Sequence, residues 1–566
     1  MSDFINWSEL SELERIKYES NYLRGTLVES LHDPITGSIA YADTQLSKFH
    51  GIYQQFDRDL EKERKRQKLE PAFSFLIRVR VPGGIVTPEQ WLQLDGLSDI
   101  YANKTLKLTT RQAFQFHGVI KTNLKKTIQG INAALLDTIA ACGDVNRNVM
   151  CHPNPAESDL HAEVSEKARQ ISEHLLPSTT AYHEIWLDQK LVADSKMDVE
   201  PIYGDRYLPR KFKIAVAIPP YNDSDIFSQD LGFVAIVENN KIVGYNVLVG
   251  GGMGTTFGMP ETYPRLADVI GFCLPEQVVD VAEKVVLVQR DNGNRQNRKL
   301  SRLKYTIDKL GIEGFKNELH KYLGYSLQAA QSFTFIRNGD RLGWKKGKDS
   351  KWSLTLFVEG GRVADRNGLK MKTALKEVAQ NISCQFILTG NQNVIIANIS
   401  LEEKKKVSEI LKKNGVLPGE ISGIRKNSIA CVALNTCSLA FAEAERYLPT
   451  LVAKIELVLE KFNLLNEEIV IRMTGCPNGC GRPYLAEIGL VGKSEGHYNL
   501  YLGGNFNGTR LNSLYKETLT EEEILTELTP IIANYAQNRL EDEKFGDFVI
   551  RKQYVTETKK GRDFKH

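Results

Sequence analysis

The chain has 566 residues, a quarter of them charged, and a formal net charge of +3, which excludes the global field of a nucleic-acid or anionic-membrane binder. Eight cysteines in that length are too few for a disulfide framework and point to a reducing compartment. Met1 to Glu9 lacks the basic-then-apolar pattern of a signal peptide and no 18-residue apolar run occurs, so the expectation is a soluble cytoplasmic protein with no membrane or nucleic-acid partner and about three or four domains.

Residues 1–74 read as a polar, largely helical arm, with the charge run Arg58 to Arg66 as a solvated helix face. From Phe73 the pattern turns to strands. In Phe75 to Val81 the period-2 rule sets Phe75, Ile77 and Val79 on one face and Arg78 and Arg80 on the other. Thr105 to Phe116 reads as a second strand, with Lys107, Thr109, Arg111, Gln115 and His117 opposite Leu106, Leu108, Phe114 and Phe116. Arg210 to Ile218 reads as a third, with Lys211 and Lys213 sharing a face, and Arg147 falls in a loop between them.

One basic strand face is ordinarily just solvated. Three of them, if they meet inside the protein, repel and lose hydration, and an anion must neutralise them. A polyanionic ligand in a basic cavity is therefore expected. Gly250 to Gly254 carries no G-x-G-x-x-G register and reads as a tight turn, and Asn297 to Lys304 as a basic helix whose Arg298 and Arg302 could hold a carboxylate.

The chain also repeats itself. Val81-Pro82-Gly83-Gly84 recurs as Val358-Glu359-Gly360-Gly361, Leu108 to Gln112 as Leu388 to Gln392, and Asn148 to Cys151 as Asn427 to Cys431, at a near-constant offset. Each copy runs strands, then helices and further strands, which suggests mixed α+β layers. The copies differ in chemistry: the first is cationic, whereas the second has Thr355 and Asn391 at matching places and four cysteines.

Those cysteines are Cys431 and Cys437, spaced C-x5-C, then Cys476 and Cys480, spaced C-x3-C in a Pro- and Gly-rich loop after an apolar run. Structural zinc favours tighter knuckles in a small autonomous module, so an iron–sulfur cluster is the leading reading, with zinc and unrelated core cysteines as its alternatives.

The segments Glu19 to Gly25, Arg111 to Gly118, Leu208 to Lys213 and Thr474 to Arg482 resemble the sulfite/nitrite reductase family, and within it the hemoprotein subunits of assimilatory NADPH-type sulfite reductases. The similarity runs along nearly the whole chain. It implies an α+β fold, an internally duplicated module of ferredoxin-like half-domains plus two mixed α/β domains, with pseudo-two-fold symmetry. The implied divisions are an arm at 1–74 that docks a partner, paired half-domains at 75–140 and 344–418, a first siroheme- and sulfite-binding domain at 141–343, and a cluster domain at 419–566.

The implied cofactors are siroheme, whose eight carboxylates would supply the expected polyanion, and a [4Fe–4S] cluster on Cys431, Cys437, Cys476 and Cys480, the last also bridging to the siroheme iron. By the same resemblance Arg78, Arg147, Lys211 and Lys213 bind the sulfite oxyanion; Lys211 and Lys213, two close ammonium groups that depress each other's proton affinity, are the expected proton donors. Lys107, Thr109, Arg111, Gln115, His117, Arg302, Gln392, Asn478 and Cys480 lie at the cofactor, with Lys107 standing where the family pattern carries Arg. The implied activity is six-electron reduction of sulfite to sulfide with electrons from an NADPH-dependent flavoprotein subunit. A ferredoxin-dependent enzyme and a siroheme nitrite reductase are the alternatives.

Overall fold

The computed structural model describes residues 6–189, 200–366, 368–416 and 421–565; the expected division at 418/419 lies outside them. In chain order the first half has β1 (Ile52–Phe56), β2 (Phe73–Val79), β3 (Ile85–Val86), β4 (Leu106–Leu108) and β5 (Phe114–Val119), then β6 (Met150–Cys151), β7 (Ile214–Ala217), β8 (Leu231–Glu238), β9 (Lys241–Val249) and β10 (Asp268–Cys273). The second half has β11 (Gly343–Lys346), β12 (Trp352–Leu356), β13 (Arg362–Val363), a small hairpin of β14 (Asp365–Arg366) and β15 (Leu369–Lys370), then β16 (Gln385–Leu388) and β17 (Val394–Ile399). It closes with β18 (Ser428–Ala430), β19 (Ile471–Thr474), β20 (Ile488–Ser494), β21 (His497–Leu502) and β22 (Ser513–Leu519).

The strand orders repeat. One sheet runs β1-β2-β5-β4-β13 and its counterpart β11-β12-β17-β16-β3, so each half lends one short strand to the other. The repeated glycine turns make this exchange. A Cβ on Gly84 would stand 2.6 Å from the Leu388 carbonyl and one on Gly361 2.4 Å from that of Leu108, and both glycines have positive φ, so no L side chain fits either place.

The other two sheets run β10-β9-β8-β7-β6 and β18-β19-β20-β21-β22. In each, the three strands nearest the chain's entry are parallel and the last two antiparallel. The duplication is thus visible in topology as well as in sequence.

The two half-sheets share one core. Helix Pro88–Tyr101 starts at Thr87, whose side chain accepts the Gln90 amide, with Pro88 in the first turn where no N–H is needed. Its Trp91 is fully buried between Phe114 of one half, 5.6 Å centre to centre, and Phe386 of the other, 4.5 Å. A side chain of that size buries about 150–250 Å², which ties the halves together.

Three local expectations need correction. Thr105 to Phe116 is a hairpin: β4 and β5 flank a turn in which the Thr109 hydroxyl accepts the amides of Arg111 and Ala113. Because Lys107 stands opposite Gln115 across that hairpin, they still share a face, so the alternation hid the turn. The strand expected from Arg210 begins only at Ile214, with Phe212 bridging to Asn146 before it. Arg298 and Arg302 do not pair on one helix face: Arg298 lies in the short helix Arg298–Leu300 and forks Asp144, whereas Arg302 precedes helix Leu303–Leu323 and forks Asp230.

Candidate active site

The first half-sheet carries a polar row. Arg78 on β2 stands opposite Gln115 on β5, Gln115 opposite Lys107 on β4, and Lys107 opposite Arg362 on the borrowed β13. Directly opposed residues share a face. In the second half the matching row is Thr355, Ile395, Ile387 and Ile85, apolar but for one hydroxyl. One copy kept a working face and the other made it core.

Within the row, Gln115 with its amide oxygen turned to Arg78 accepts from Nε at 3.0 Å and also from Nη2, and donates to His117 Nε2 at 3.3 Å. Burial, then Arg362, pushes His117 well below the usual imidazole range, so it is neutral. Lys107 does not reach toward a ligand as expected. It is buried, donates to Glu445 Oε2 at 2.8 Å and to the Gly360 carbonyl, and Arg362 forks the same carboxylate at 2.7 and 3.0 Å. Burial would raise the Glu445 carboxyl, but Lys107 and Arg362 hold it below the ordinary range.

A second group gathers around a cleft between the halves. Arg111, Lys211, Lys213 and Arg302 line it from the first half, and Asn478, Cys480 and Arg482 from the second. Arg111 is fixed by the Asn148 and Ile214 carbonyls and by Gln229. Arg147 donates to the Gly143 carbonyl at 3.1 Å and to the Tyr53 hydroxyl at 3.4 Å. Lys211 and Lys213 are half-buried, and among the described residues neither has an anionic partner. Burial, then Arg210 and Arg147, pushes Lys211 well down; burial, then Arg111 and Lys211, does the same to Lys213. Cations held this way fit a bound anion, the requirement inferred from the strand faces.

The cysteines enter from the opposite side. β18 and β19 run parallel and deliver Cys431 and the Cys476 loop to the same sheet end. The Gly475 amide donates to Cys431 Sγ at 3.4 Å, and Asn478 Nδ2 to Cys476 Sγ at 3.5 Å; such bonds tune a metal–sulfur centre. Cys476 is buried while Cys480 is exposed toward the cleft. Burial, then Cys480 and Cys476, pushes the Cys431 thiol far up, so a bound metal must hold these groups as thiolates.

Three participants carried little sequence signal. Arg482 donates to the carbonyls of Thr110, 3.0 Å, and Gly390, 2.8 Å, matching positions of the two repeats, while Asp225 balances its charge. It staples both turns beside Cys480. The Gly250 to Gly254 stretch is more than a tight turn: Met253 and Gly254 line the cleft, and a Cβ on Gly254 would stand 3.1 Å from the Asn478 carbonyl. Tyr53 joins the site through Arg147.

Two residues expected at the cofactor also make local hydrogen bonds. Gln392 exchanges both amide groups with the backbone of Ala430, just before Cys431, and the Thr109 hydroxyl is taken by its own turn.

Comparison with known proteins agrees with this geometry. The nitrite/sulfite reductase ferredoxin-like half domain matches residues 67–134 and 345–414, and the nitrite and sulphite reductase 4Fe-4S domain matches 166–327. The latter span contains a single cysteine, Cys273; it is the copy whose topology the cysteine-bearing sheet repeats. The sulfite reductase [NADPH] hemoprotein beta-component of Oceanobacillus iheyensis is 58% identical, covering 98% of this chain and 96% of that protein. The protein of that name from Anoxybacillus flavithermus is also 58% identical, covering 98% and 97%. The solved structure of Mycobacterium tuberculosis NirA protein superposes with a TM-score of 0.77 at 24% identity over 96% of each chain, which supports the fold. The chain belongs to the nitrite/sulfite reductase family.

Proposed function

We propose that this chain is the catalytic hemoprotein component of an NADPH-dependent sulfite reductase, reducing sulfite to sulfide with six electrons. The observation that carries the reading is the cleft in which Lys211 and Lys213, without an anionic partner among the described residues, face the Cys480 loop across the two halves. When bound there, siroheme and a [4Fe–4S] cluster on Cys431, Cys437, Cys476 and Cys480 supply the electron chemistry.

The protein's own part is to neutralise and protonate. Arg78, Arg147, Lys211 and Lys213 bind the substrate oxyanion, their hydrogen bonds strengthening as charge gathers on departing oxygens. Lys211 and Lys213 donate protons as those oxygens leave as water, since crowded, desolvated ammonium groups lose protons more readily than free ones. Arg111 and Arg302, with Gln115 and neutral His117 on the sheet, contact the macrocycle's acids, and Asn478 steadies the loop of Cys476 and Cys480. Residues 141–343 form the siroheme and sulfite side and 419–566 the cluster side, with 75–140 and 344–418 framing them.

The chain works with a second, electron-donating subunit, an NADPH-dependent flavoprotein that docks through the 1–74 arm, in the cytoplasm. The test is the purified protein itself. Iron and acid-labile sulfide in cluster proportion, together with tetrapyrrole absorption bands, are expected; a spectrum without those bands contradicts the reading.

A further inference from the structure

Outside the cleft, the ten residues that follow β6 fold back on themselves. His152, Glu157 and His161 bring one ligand atom each to within 4.8 Å of the others. His152 Nε2 lies 3.5 Å from one Glu157 oxygen, and His161 Nε2 3.9 Å from the other. The imidazole centres are 4.3 Å apart. Behind the rings, Ser158 Oγ is hydrogen-bonded to His161 Nδ1 at 2.7 Å, and Asp223 Oδ2 lies 2.7 Å from His152 Nδ1 as a charge contact without hydrogen-bond alignment. A carboxylate or hydroxyl behind an imidazole fixes the tautomer and turns the other nitrogen's lone pair outward, the arrangement found behind metal-bound histidines.

A bound ion has one charge to replace. Glu157, Asp223 and Asp340 line this cleft with Arg341 and Lys345; burial works against the His152 imidazolium, but Asp223 and Glu157 raise it to about 8, so a metal ion would take the place of that proton. Arg341 forks both Glu157 oxygens at 3.2 and 2.9 Å, is held over the Tyr221 ring at 4.0 Å, and sets its Nη2 3.5 Å from His152 Nε2; a bound ion would displace only that last, long contact. A carboxylate has about four lone-pair directions, so Glu157 can keep Arg341 and still offer an oxygen. Lys345 also contacts Glu157, but its side chain is 42% exposed and can swing to solvent.

We infer that His152, Glu157 and His161 form a second metal site, separate from the cysteine centre, that takes a divalent ion of zinc type. Two imidazoles and one carboxylate suit zinc and its borderline neighbours rather than calcium or magnesium, and they leave a fourth position for water or another ligand. The ion would pin the start of helix Asp159–His174 to the end of β6, against the second half-sheet at Thr355 and Ile395.

The test uses holoenzyme with its iron content confirmed, dialysed against buffered zinc and assayed for bound zinc by mass spectrometry. One zinc per chain is expected, with iron unchanged. His161→Phe, which keeps the ring volume without the ligand atom, should weaken zinc binding at least about 100-fold, and Asp223→Asn about 10–100-fold, with sulfite reduction retained in His161→Phe. If His161→Phe folds poorly, a zinc-dependent rise in Tm of the wild-type holoenzyme, absent from His152→Asn, serves instead. Wild-type protein holding no more zinc than the dialysis buffer, or a variant holding as much as wild type, overturns the assignment and leaves a protonated imidazole as the missing charge.

Discussion

Lys107 on β4 and Glu445, 338 residues later, form a buried ion pair with Nζ 2.8 Å from Oε2. It joins the polar row of the first half-sheet to the segment after Cys431, whose carbonyl accepts the Glu445 amide at 3.0 Å. Because Arg362 forks the same carboxylate, the two partners are not equivalent.

Glu445→Ala leaves Lys107 and Arg362 buried without an anion and should cost about 3–5 kcal/mol. Lys107→Ala leaves the Arg362 fork intact and should cost less, about 1–3 kcal/mol. Urea midpoints of the two variants check the order; equal losses would show that Arg362 does not hold the carboxylate alone.

Lys211→Ala and Lys213→Ala should keep iron and tetrapyrrole absorbance but lower kcat by about 10²–10⁴. Full turnover of Lys211→Ala with sulfite would exclude it as an essential proton donor.

Arg482→Met removes the staple between the Thr110 and Gly390 turns and leaves Asp225 to the Asn338 amide and to Arg472, whose Nη1 is 2.8 Å from Asp225 Oδ2. Cysteine ligands are untouched, so some cluster should assemble, but a loss of stability of about 2–4 kcal/mol is expected. An unchanged Tm would show that the two turns are held by other contacts.

Acid sensitivity should follow Asp144, which holds Arg298 at 2.7 and 3.0 Å in the segment leading to Arg147. Burial would raise its carboxyl, yet Arg298 and Lys17 hold it well below the ordinary range. A depressed folded pKa gives stability that is present above the unfolded value, about 3.9, and is lost as pH falls below it. Asp144→Asn should therefore lower Tm at pH 6, and the gap to wild type should narrow as the pH falls toward about 3. A gap independent of pH would place the effect in packing.

The sequence made the cysteine set, the basic faces and the duplication readable for physical reasons. Thiols at loop ends after apolar runs leave few other readings, side-chain alternation has a period of two, and the exchanged strands require glycine in both copies. The β4–β5 turn was hidden because Lys107 and Gln115 keep the same parity across it. Glu445 was invisible, since a carboxylate chosen to neutralise a residue 338 positions away carries no local pattern. The aspartates behind Arg298 and Arg302 were missed for the same reason, and Gly254 because its neighbour, the Asn478 loop, is distant in sequence. Lys107 and Gln392 were placed at the cofactor by resemblance; their hydrogen bonds to Glu445 and to the Ala430 backbone had no local signal either.

The most direct test of the account is an anaerobic assay of the cofactor-loaded protein with reduced viologen as donor, comparing kcat/KM for sulfite and nitrite and identifying the product. Sulfide, with sulfite favoured, is the expected result. Ammonia with a strong nitrite preference, or no turnover on either anion, would contradict it.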